Sequence, residues 1–414
     1  MKLSEDLVWR GLIKDKTFTD SAWLDSPQTF YHGVDPSADS LHIGNLAALL
    51  LARRLMDSGW KAILLVGGAT SLIGDPGGKE QERELQPREE VLKNAEAIKT
   101  QITELFGGHP YTPADNYDWF SDVKYLDFLR DVGKHFSMTE LMQRDFVGIR
   151  MGEQGSGISY AEFSYSLIQG YDYWQLHKKH NTVLQIGGSD QWGNMLSGVA
   201  LIRKKEGQEV HALSMPLVVD KATGRKFGKT EAGAVWLDAA KTTSTQFSQF
   251  WINSDDADVE DYLKIFTLLP KEQIEQVISE HKADPSQRKA QKTLADEVTE
   301  LVHGEAGSSV SDVTKYLTSQ VSLAEASEED LEAIRNEIPS RKAGSIENLH
   351  FRQTLVEVGL ASSRTEAERL INDGAIYVNG ERHIAGSRDK FKKGPNLVRR
   401  GKAYKDSALI ELSE

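Results

Sequence analysis

The chain has 414 residues, 39% hydrophobic and 27% charged, with no cysteine and a net charge of −13. Such a length calls for two or three domains, and the composition is that of an ordinary soluble protein. Lack of cysteine excludes a disulfide frame, a thiolate metal site and a thiol nucleophile, while the acidic balance excludes a surface that coats nucleic acid throughout.

The longest apolar runs, residues 46–52 and 62–66, are far too short to cross a membrane. No signal-like apolar core follows Glu5 and Asp6, so the expected compartment is the cytoplasm. From Phe30 to Val219 short apolar runs alternate with longer amphipathic ones. The pattern predicts strands over 29–34, 62–67, 182–186 and 211–219, and helices over 42–58, 89–106, 159–177 and 190–202. Strands alternating with helices predict an α/β fold with a mainly parallel sheet and ligands at the carboxyl ends of its strands. The stretch of about 106–181 is long for a crossover and reads as an inserted helical subdomain.

Residues 1–230 are thus expected to form one domain, 231–303 a helical domain, 304–345 an acidic linker and 346–414 a compact α+β unit. In that last unit, Ser363 with Glu366 three residues later reads as a helix start, Asp373-Gly374 as a helix stop, and Asn379-Gly380 as a tight turn.

The chemistry-bearing residues gather at the presumed strand ends. His42-Ile43-Gly44-Asn45 opens a helix, whose N-terminus offers backbone N–H groups and a positive dipole end to phosphate. Read alone, it is equally a helix start with a capping histidine. Roughly 180 residues later, Lys226-Phe227-Gly228-Lys229-Thr230 supplies two lysines able to meet a polyphosphate, or simply a solvated basic loop. Tyr165, Gln169 and Asp172 share one helix face at i, i+4, i+7; this is a polar ligand stripe or a wet outer face. Gly187-Gly188-Ser189-Asp190-Gln191 permits close backbone approach, with Asp190 suited to a ribose hydroxyl. Asp75 begins a Gly-Pro-rich loop bearing Lys79 and Arg83, either a phosphate lid or a surface turn. No cluster has metal-site spacing, so any metal is expected to arrive with the nucleotide as Mg²⁺. Between Arg382 and Lys405 stand nine Lys/Arg against one acid, a phosphate-backbone footprint or a solvated charged surface.

Together, residues 31–45, 67–75, 116–119, 163–172, 185–194 and 226–230 closely resemble bacterial tyrosyl-tRNA synthetases, which are class I aminoacyl-tRNA synthetases. The resemblance spans nearly the whole chain, including a C-terminal part like the S4 RNA-binding module. It implies a Rossmann-like catalytic domain and a two-step reaction: ATP activates tyrosine to tyrosyl-adenylate, and the tyrosyl group then passes to the 3′ end of tRNA(Tyr). Carried over by motif, Tyr31 and Asp172 would bind the substrate phenol, with Asp75, Tyr165 and Gln169 on its ammonium and Gln191 beside its carboxylate. Gly33, Asp35, Gly188 and Asp190 would place the nucleoside. Ser37, His42, Gly44 and Asn45 would contact ATP from the helix end, and Lys79, Arg83, Lys226, Lys229 and Thr230 would close on pyrophosphate. Arg364, Lys390, Lys392, Lys393, Arg399, Arg400 and Lys402 would face RNA. A homodimer joined through about 116–159 is also implied, with no editing domain and no resident metal.

Three positions depart from the family pattern. Asn45 stands where a second histidine is usual, Lys226–Thr230 replaces the common Lys-Met-Ser-Lys-Ser, and His32 occupies a site often held by cysteine. Among rivals, a tryptophanyl-tRNA synthetase shares the fold but lacks a reason for Asp172 and Tyr31. An RNA-binding scaffold without turnover has no need of His42, Lys226 and Lys229, and a small adenylyltransferase leaves the basic tail unexplained.

Overall fold

A computed structural model of the chain describes residues 1–75, 86–142, 157–219, 227, 229–230, 233–304, 310–317, 321–383, 385–386, 390–401 and 406–413. Its central sheet has six strands: β1 (Asp15–Lys16), β2 (Thr29–Val34), β3 (Lys61–Val66), β4 (Tyr111–Asp115), β5 (Leu184–Gly188) and β6 (His211–Met215). They lie in the order β1-β6-β5-β2-β3-β4. All neighbours are parallel except β1, which pairs antiparallel with β6 at the edge.

The chain runs outward from β2 through β3 to β4, then returns to lay β5 on the other side of β2 and runs outward again to β6. The carboxyl ends of β2 and β5 therefore flank the point where strand order reverses, the place where open α/β sheets bind ligands. Burial on both faces explains the unbroken apolar runs: every β3 residue after Lys61 is buried, as is every residue of β6. The Ile43–Asp57 helix connecting β2 to β3 buries ten of its fifteen residues, so it is a core helix.

The four expected strands and four expected helices are present, with ends shifted by a few residues. Two strands were not expected. One of them, β4, sits inside the supposed helical insertion; Pro113 and two polar residues disguise it, and it is tolerated because β4 is an edge strand.

The chain divides into two compact units: residues 1–238 with 254–294, and residues 239–253 with 295–414. This differs from the expected boundaries. The supposed helical domain over 231–303 is shared out, with Val259–Phe266 and Lys271–Ala283 in the first unit and Ser244–Ile252 in the second.

The supposed linker over 304–345 holds helices Val310–Leu317 and Glu328–Glu337 and strand β9 (Ser340–Ala343). Val313, Tyr316, Leu317, Leu331, Ile334 and Ile338 pack there with Leu397 and Leu409 of the C-terminal sheet. Acidic residues between these apolar positions masked the helical spacing.

Beyond β7 (Lys229–Thr230) and β8 (Gly233–Ala234), which form a small hairpin, the second unit's sheet contains β9, β10 (Ile376–Val378), β11 (Glu381–Arg382), β12 (Gly394–Arg400) and β13 (Ser407–Leu412). The Asn-Gly turn is present: Asn379 and Gly380 have φ of +50° and +85° and join β10 to β11. Ser363 caps the Arg364–Asn372 helix by accepting from Glu366 N–H at 3.1 Å.

Candidate active site

Tyr31, in the middle of β2, is 1% exposed, and its hydroxyl has no hydrogen-bond partner among the described residues. Asp172, on the Tyr160–His180 helix, is equally buried but well supplied with donors. Trp119 Nε1–H donates to its Oδ1 at 2.8 Å and Asn116 Nδ2–H to its Oδ2 at 3.1 Å. Burial pushes the Asp172 carboxyl up to about 8 despite those two donors, with Asp35 and Asp115 adding to the rise. Burial likewise pushes the Tyr31 phenol well above its ordinary value, and the next cause is the Asp172 charge. Both groups are thus buried, and the Tyr31 phenol lies within the field of the Asp172 carboxyl. A ligand hydroxyl would satisfy the orphaned phenol and give Asp172 a further donor.

A second polar group lies along the same helix. Tyr165 donates its hydroxyl to Asp35 Oδ2 at 2.7 Å, and Thr70 Oγ1–H donates to Asp35 Oδ1 at 2.7 Å. Gln191 Nε2–H donates to Asp75 Oδ2 at 2.6 Å and Asn194 Nδ2–H to Gln191 Oε1 at 3.1 Å. Burial first, then the charges of Asp35 and Asp75, raise the Tyr165 phenol well above its usual range, with Asp172 a smaller cause. Asp35 and Asp75, both bearing on this phenol, give the spot a negative character that suits a cation. Gln169, half-buried, stands one turn beyond Tyr165 toward Asp172.

Asn116 ties the two groups together. Besides holding Asp172, its Nδ2 donates to Thr70 Oγ1 at 3.2 Å, while its Oδ1 accepts from Ala69 N–H at 2.6 Å. Both amide hydrogens and the oxygen are thus engaged, which fixes the amide's orientation. Gly67 and Gly68 permit this web: a Cβ at Gly67 would collide with the Asp35 carboxylate and Thr70 hydroxyl, and one at Gly68 with the Asp115 carboxylate.

On the other side of the reversal point the surface opens. Gly33 is exposed, with nothing within 4 Å of where its Cβ would be. At Gly188 a Cβ would meet the Asp190 carboxylate at 2.6 Å and the Leu217 side chain at 3.5 Å. Ser37 is exposed; its N–H donates to Asp35 O at 2.8 Å and its carbonyl accepts from Gln86 at 3.1 Å. His32 is buried, its Nδ1 3.3 Å from Ile186 O, and burial lowers its basicity.

His42 is the N-cap of the Ile43–Asp57 helix and half-buried. Gly44 N–H donates to His42 Nδ1 at 3.0 Å, so the neutral ring carries its proton on Nε2 as a donor. Asn45 Oδ1 accepts from His42 N–H at 3.2 Å, completing a capping box. The capping reading and the functional reading of this motif therefore coexist. Ile43 N–H donates to Val235 O at 3.0 Å, and the Phe227 carbonyl lies 3.8 Å from where a Gly44 Cβ would be. Two motifs far apart in sequence meet at one helix end. Lys79, Arg83 and Lys226 lie outside the described residues, as do the side chains of Lys229 and Thr230.

The family model for class I tRNA synthetases (W and Y) matches residues 25–314, and one for a tyrosine–tRNA ligase C-terminal domain matches residues 330–405. The chain belongs to the tyrosyl-tRNA synthetase family. It is similar to tyrosine–tRNA ligase 1 of Streptococcus thermophilus (strain CNRZ 1066), 43% identical across 97% of this chain and 98% of that protein. Tyrosine–tRNA ligase 1 of Vibrio vulnificus (strain CMCP6) is also 43% identical, across 100% and 99%. Among solved structures, a C-terminally truncated mitochondrial tyrosyl-tRNA synthetase of Aspergillus nidulans superposes with a TM-score of 0.68 at 32% identity, covering 76% of this chain and 94% of that one.

In this tyrosyl-tRNA synthetase chain the basic C-terminal residues do not form one uniform face. Lys392 and Lys393 are exposed. Arg364 is exposed and donates to Gln353 Oε1 at 2.5 Å, and Arg400 is exposed beside Glu366 at 3.4 Å. Lys390 pairs with Glu381. Arg399 is a correction to the expected set: it is half-buried and donates to Leu317 O at 3.4 Å, and burial lowers its basicity. Its place on β12 turns it toward the helix that ends at Leu317. Lys402 lies outside the described residues.

Sequence reasoning saw Thr70, Asn116 and Trp119 only as parts of family motifs and gave none of them a role. Their signal was position, just beyond the carboxyl ends of β3 and β4.

Proposed function

We propose that this chain is a tyrosine–tRNA ligase, and that the carrying observation is the buried, orphaned Tyr31 hydroxyl within the field of the buried Asp172 carboxyl. A tyrosine phenol supports both groups at once, donating to Asp172 and accepting from Tyr31. Phenylalanine would leave them unpaired; tyrosyl-tRNA synthetase is itself the standard worked example of that penalty, about 10⁵-fold. The carboxylate well at Asp35, Asp75 and Tyr165, with Gln169 on the same helix face, suits the substrate ammonium.

In the first step a tyrosine carboxylate oxygen attacks the α-phosphorus of ATP. The bond from that phosphorus to the β-phosphate bridging oxygen breaks, releasing pyrophosphate. In the second step a hydroxyl of the tRNA 3′ adenosine attacks the acyl carbon and AMP leaves. Positioning and charge stabilisation suffice for both steps, so no protein nucleophile is required.

The open backbone at Gly33 and the close approach of the Asp190 carboxylate to Gly188, with Asp35 beyond β2, suit the nucleoside. Gln191, held by Asp75, would stand at the reacting carboxylate. The Nε2–H of His42 points this reading to the phosphates, with Ser37, Gly44 and Asn45 at the same helix end. Lys79, Arg83, Lys226, Lys229 and Thr230 would neutralise the leaving pyrophosphate, and Mg²⁺ would enter with the nucleotide. Arg364, Lys392, Lys393 and Arg400 would meet tRNA.

Dimerisation belongs to the same reading. Among the described residues, five of the ten exposed large apolar side chains (Tyr125, Leu126, Met138, Met142 and Tyr160) fall within or just beyond the 116–159 stretch, a concentration that favours a partner surface there. Among the described residues no helix is long and apolar enough to cross a membrane, and the proposed compartment is the cytoplasm.

The test is pyrophosphate exchange with each of the twenty amino acids, followed by charging of tRNA(Tyr). Exchange that depends on tyrosine alone is expected; exchange driven equally by tryptophan, or none, would overturn the assignment.

A further inference from the structure

Two buried arginines, absent from every role above, converge on one helix end. Arg54, on the Ile43–Asp57 helix, is 6% exposed and donates through NH2 to the carbonyls of Thr267 and, at 3.5 Å, Lys264. Arg10 is 5% exposed and donates to Lys264 O at 2.8 Å and Leu269 O at 2.5 Å. Asp6 stands between them, 2.7 Å from Arg10 and 3.7 Å from Arg54. The carbonyls belong to the C-terminal end of the Val259–Phe266 helix, where orphan acceptors and negative dipole favour cations.

That helix carries the seat of Phe227. The Phe227 ring stacks on Phe266 at 5.2 Å and tilts against Tyr262 at 4.6 Å, while its N–H donates to Val218 O at 3.0 Å. Its carbonyl faces Gly44. A closed circuit results. The Ile43–Asp57 helix meets Phe227 at its first turn and, twelve residues after His42 or roughly 18 Å along its axis, grips the helix on which Phe227 sits.

Stability alone explains this poorly. Among the described residues the two guanidiniums share three carbonyls and pair with the Asp6 carboxylate, and the Arg54 Nε finds no partner. Apolar side chains of similar volume would usually serve folding as well. What they could not do is fix the rotation and height of one helix against the other.

We infer that Arg54, with Arg10, is a positioning residue for adenylate formation: it holds the Val259–Phe266 helix so that Phe227 stays seated against the His42 helix end. This rests on the ligase reading, and the two fail differently. Absence of tyrosine-dependent exchange in the unaltered chain defeats the ligase reading, whereas the positioning role is judged only by ratios to that chain.

The experiment compares Arg54→Met, Arg54→Lys and Phe227→Leu in the full-length protein, measuring exchange kinetics for ATP and equilibrium tyrosine binding. The expected result for Arg54→Met is a kcat lowered about 10- to 100-fold with tyrosine affinity unchanged within about twofold. Arg54→Lys should recover part of the loss, and Arg54→Met with Phe227→Leu should be no worse than the poorer single variant. Unchanged kcat, additive losses, or tyrosine binding that falls in step with kcat would overturn the inference. Should Arg54→Met not fold, Phe227→Leu and Arg10→Met decide it by the same split.

Discussion

Asn116 gives one hydrogen to Asp172 and the other to Thr70, so a single amide joins the carboxylate that would read the phenol to the network around Asp35. Removing it takes a donor from a buried carboxylate. Asn116→Ala is therefore expected to weaken tyrosine use by about 1.5–3 kcal/mol, or roughly 10- to 100-fold. Phenylalanine, which cannot pair with Asp172, should suffer less, so the ratio of kcat/KM for the two amino acids should fall. An unchanged ratio would detach Asn116 from selectivity.

Asp172 makes folding pH-sensitive. Its carboxyl is raised from 3.8 to about 8. Above about pH 4 the unfolded chain has lost this proton while the folded chain keeps it up to about 8, so stability falls as pH rises across that window. The slope from this one group approaches about 1.4 kcal/mol per pH unit. Urea unfolding without substrates should show that Asp172→Asn flattens the decline between about pH 5 and 8. An identical slope in both proteins would contradict the buried, proton-holding carboxyl.

His42 caps a helix through Nδ1 and presents Nε2–H outward from that bond, so its two duties are separable. Asn caps helices well, and His42→Asn should leave stability within about 0.5 kcal/mol. The same change should lower kcat for adenylate formation about 10- to 100-fold, because the phosphate donor is displaced. Thermal unfolding and exchange kinetics on one preparation check both halves.

For the C-terminal unit, the sequence boundaries favoured a cut near Ser345 as a way to separate activation from tRNA charging. The pairing of β9 with β13 argues otherwise, since such a cut leaves β9 without its partner and uncovers Val313, Leu317, Leu331 and Ile334. Charge reversal is the cleaner probe. Lys392→Glu with Lys393→Glu should leave pyrophosphate exchange intact and weaken tRNA binding, with the salt-dependence slope reduced by about two. Filter binding across a salt series measures it.

Much of the catalytic sheet could be read from the chain because its strands are buried on both faces and so appear as plain apolar runs. Helix starts at His42, Ser159 and Ser363 were equally readable, since caps are local. What escaped was non-local or disguised. Pro113 hid β4; acidic residues hid the helices at Val310–Leu317 and Glu328–Glu337. The link from Asp35 through Thr70 and Asn116 to Asp172 spans well over a hundred residues of sequence, and no periodicity encodes it. Arg399 shows the converse: a charge within a basic run reads as surface until β12 directs it inward.

The glycines at 67 and 68 carry a practical lesson for anyone wishing to recruit another amino acid to this pocket. Neighbouring carboxylates already fill the space any larger residue would need there, so that wall cannot be rebuilt by substitution. Redesign has to begin along the helix that bears Tyr165, Gln169 and Asp172, where side chains rather than backbone carry the polar groups.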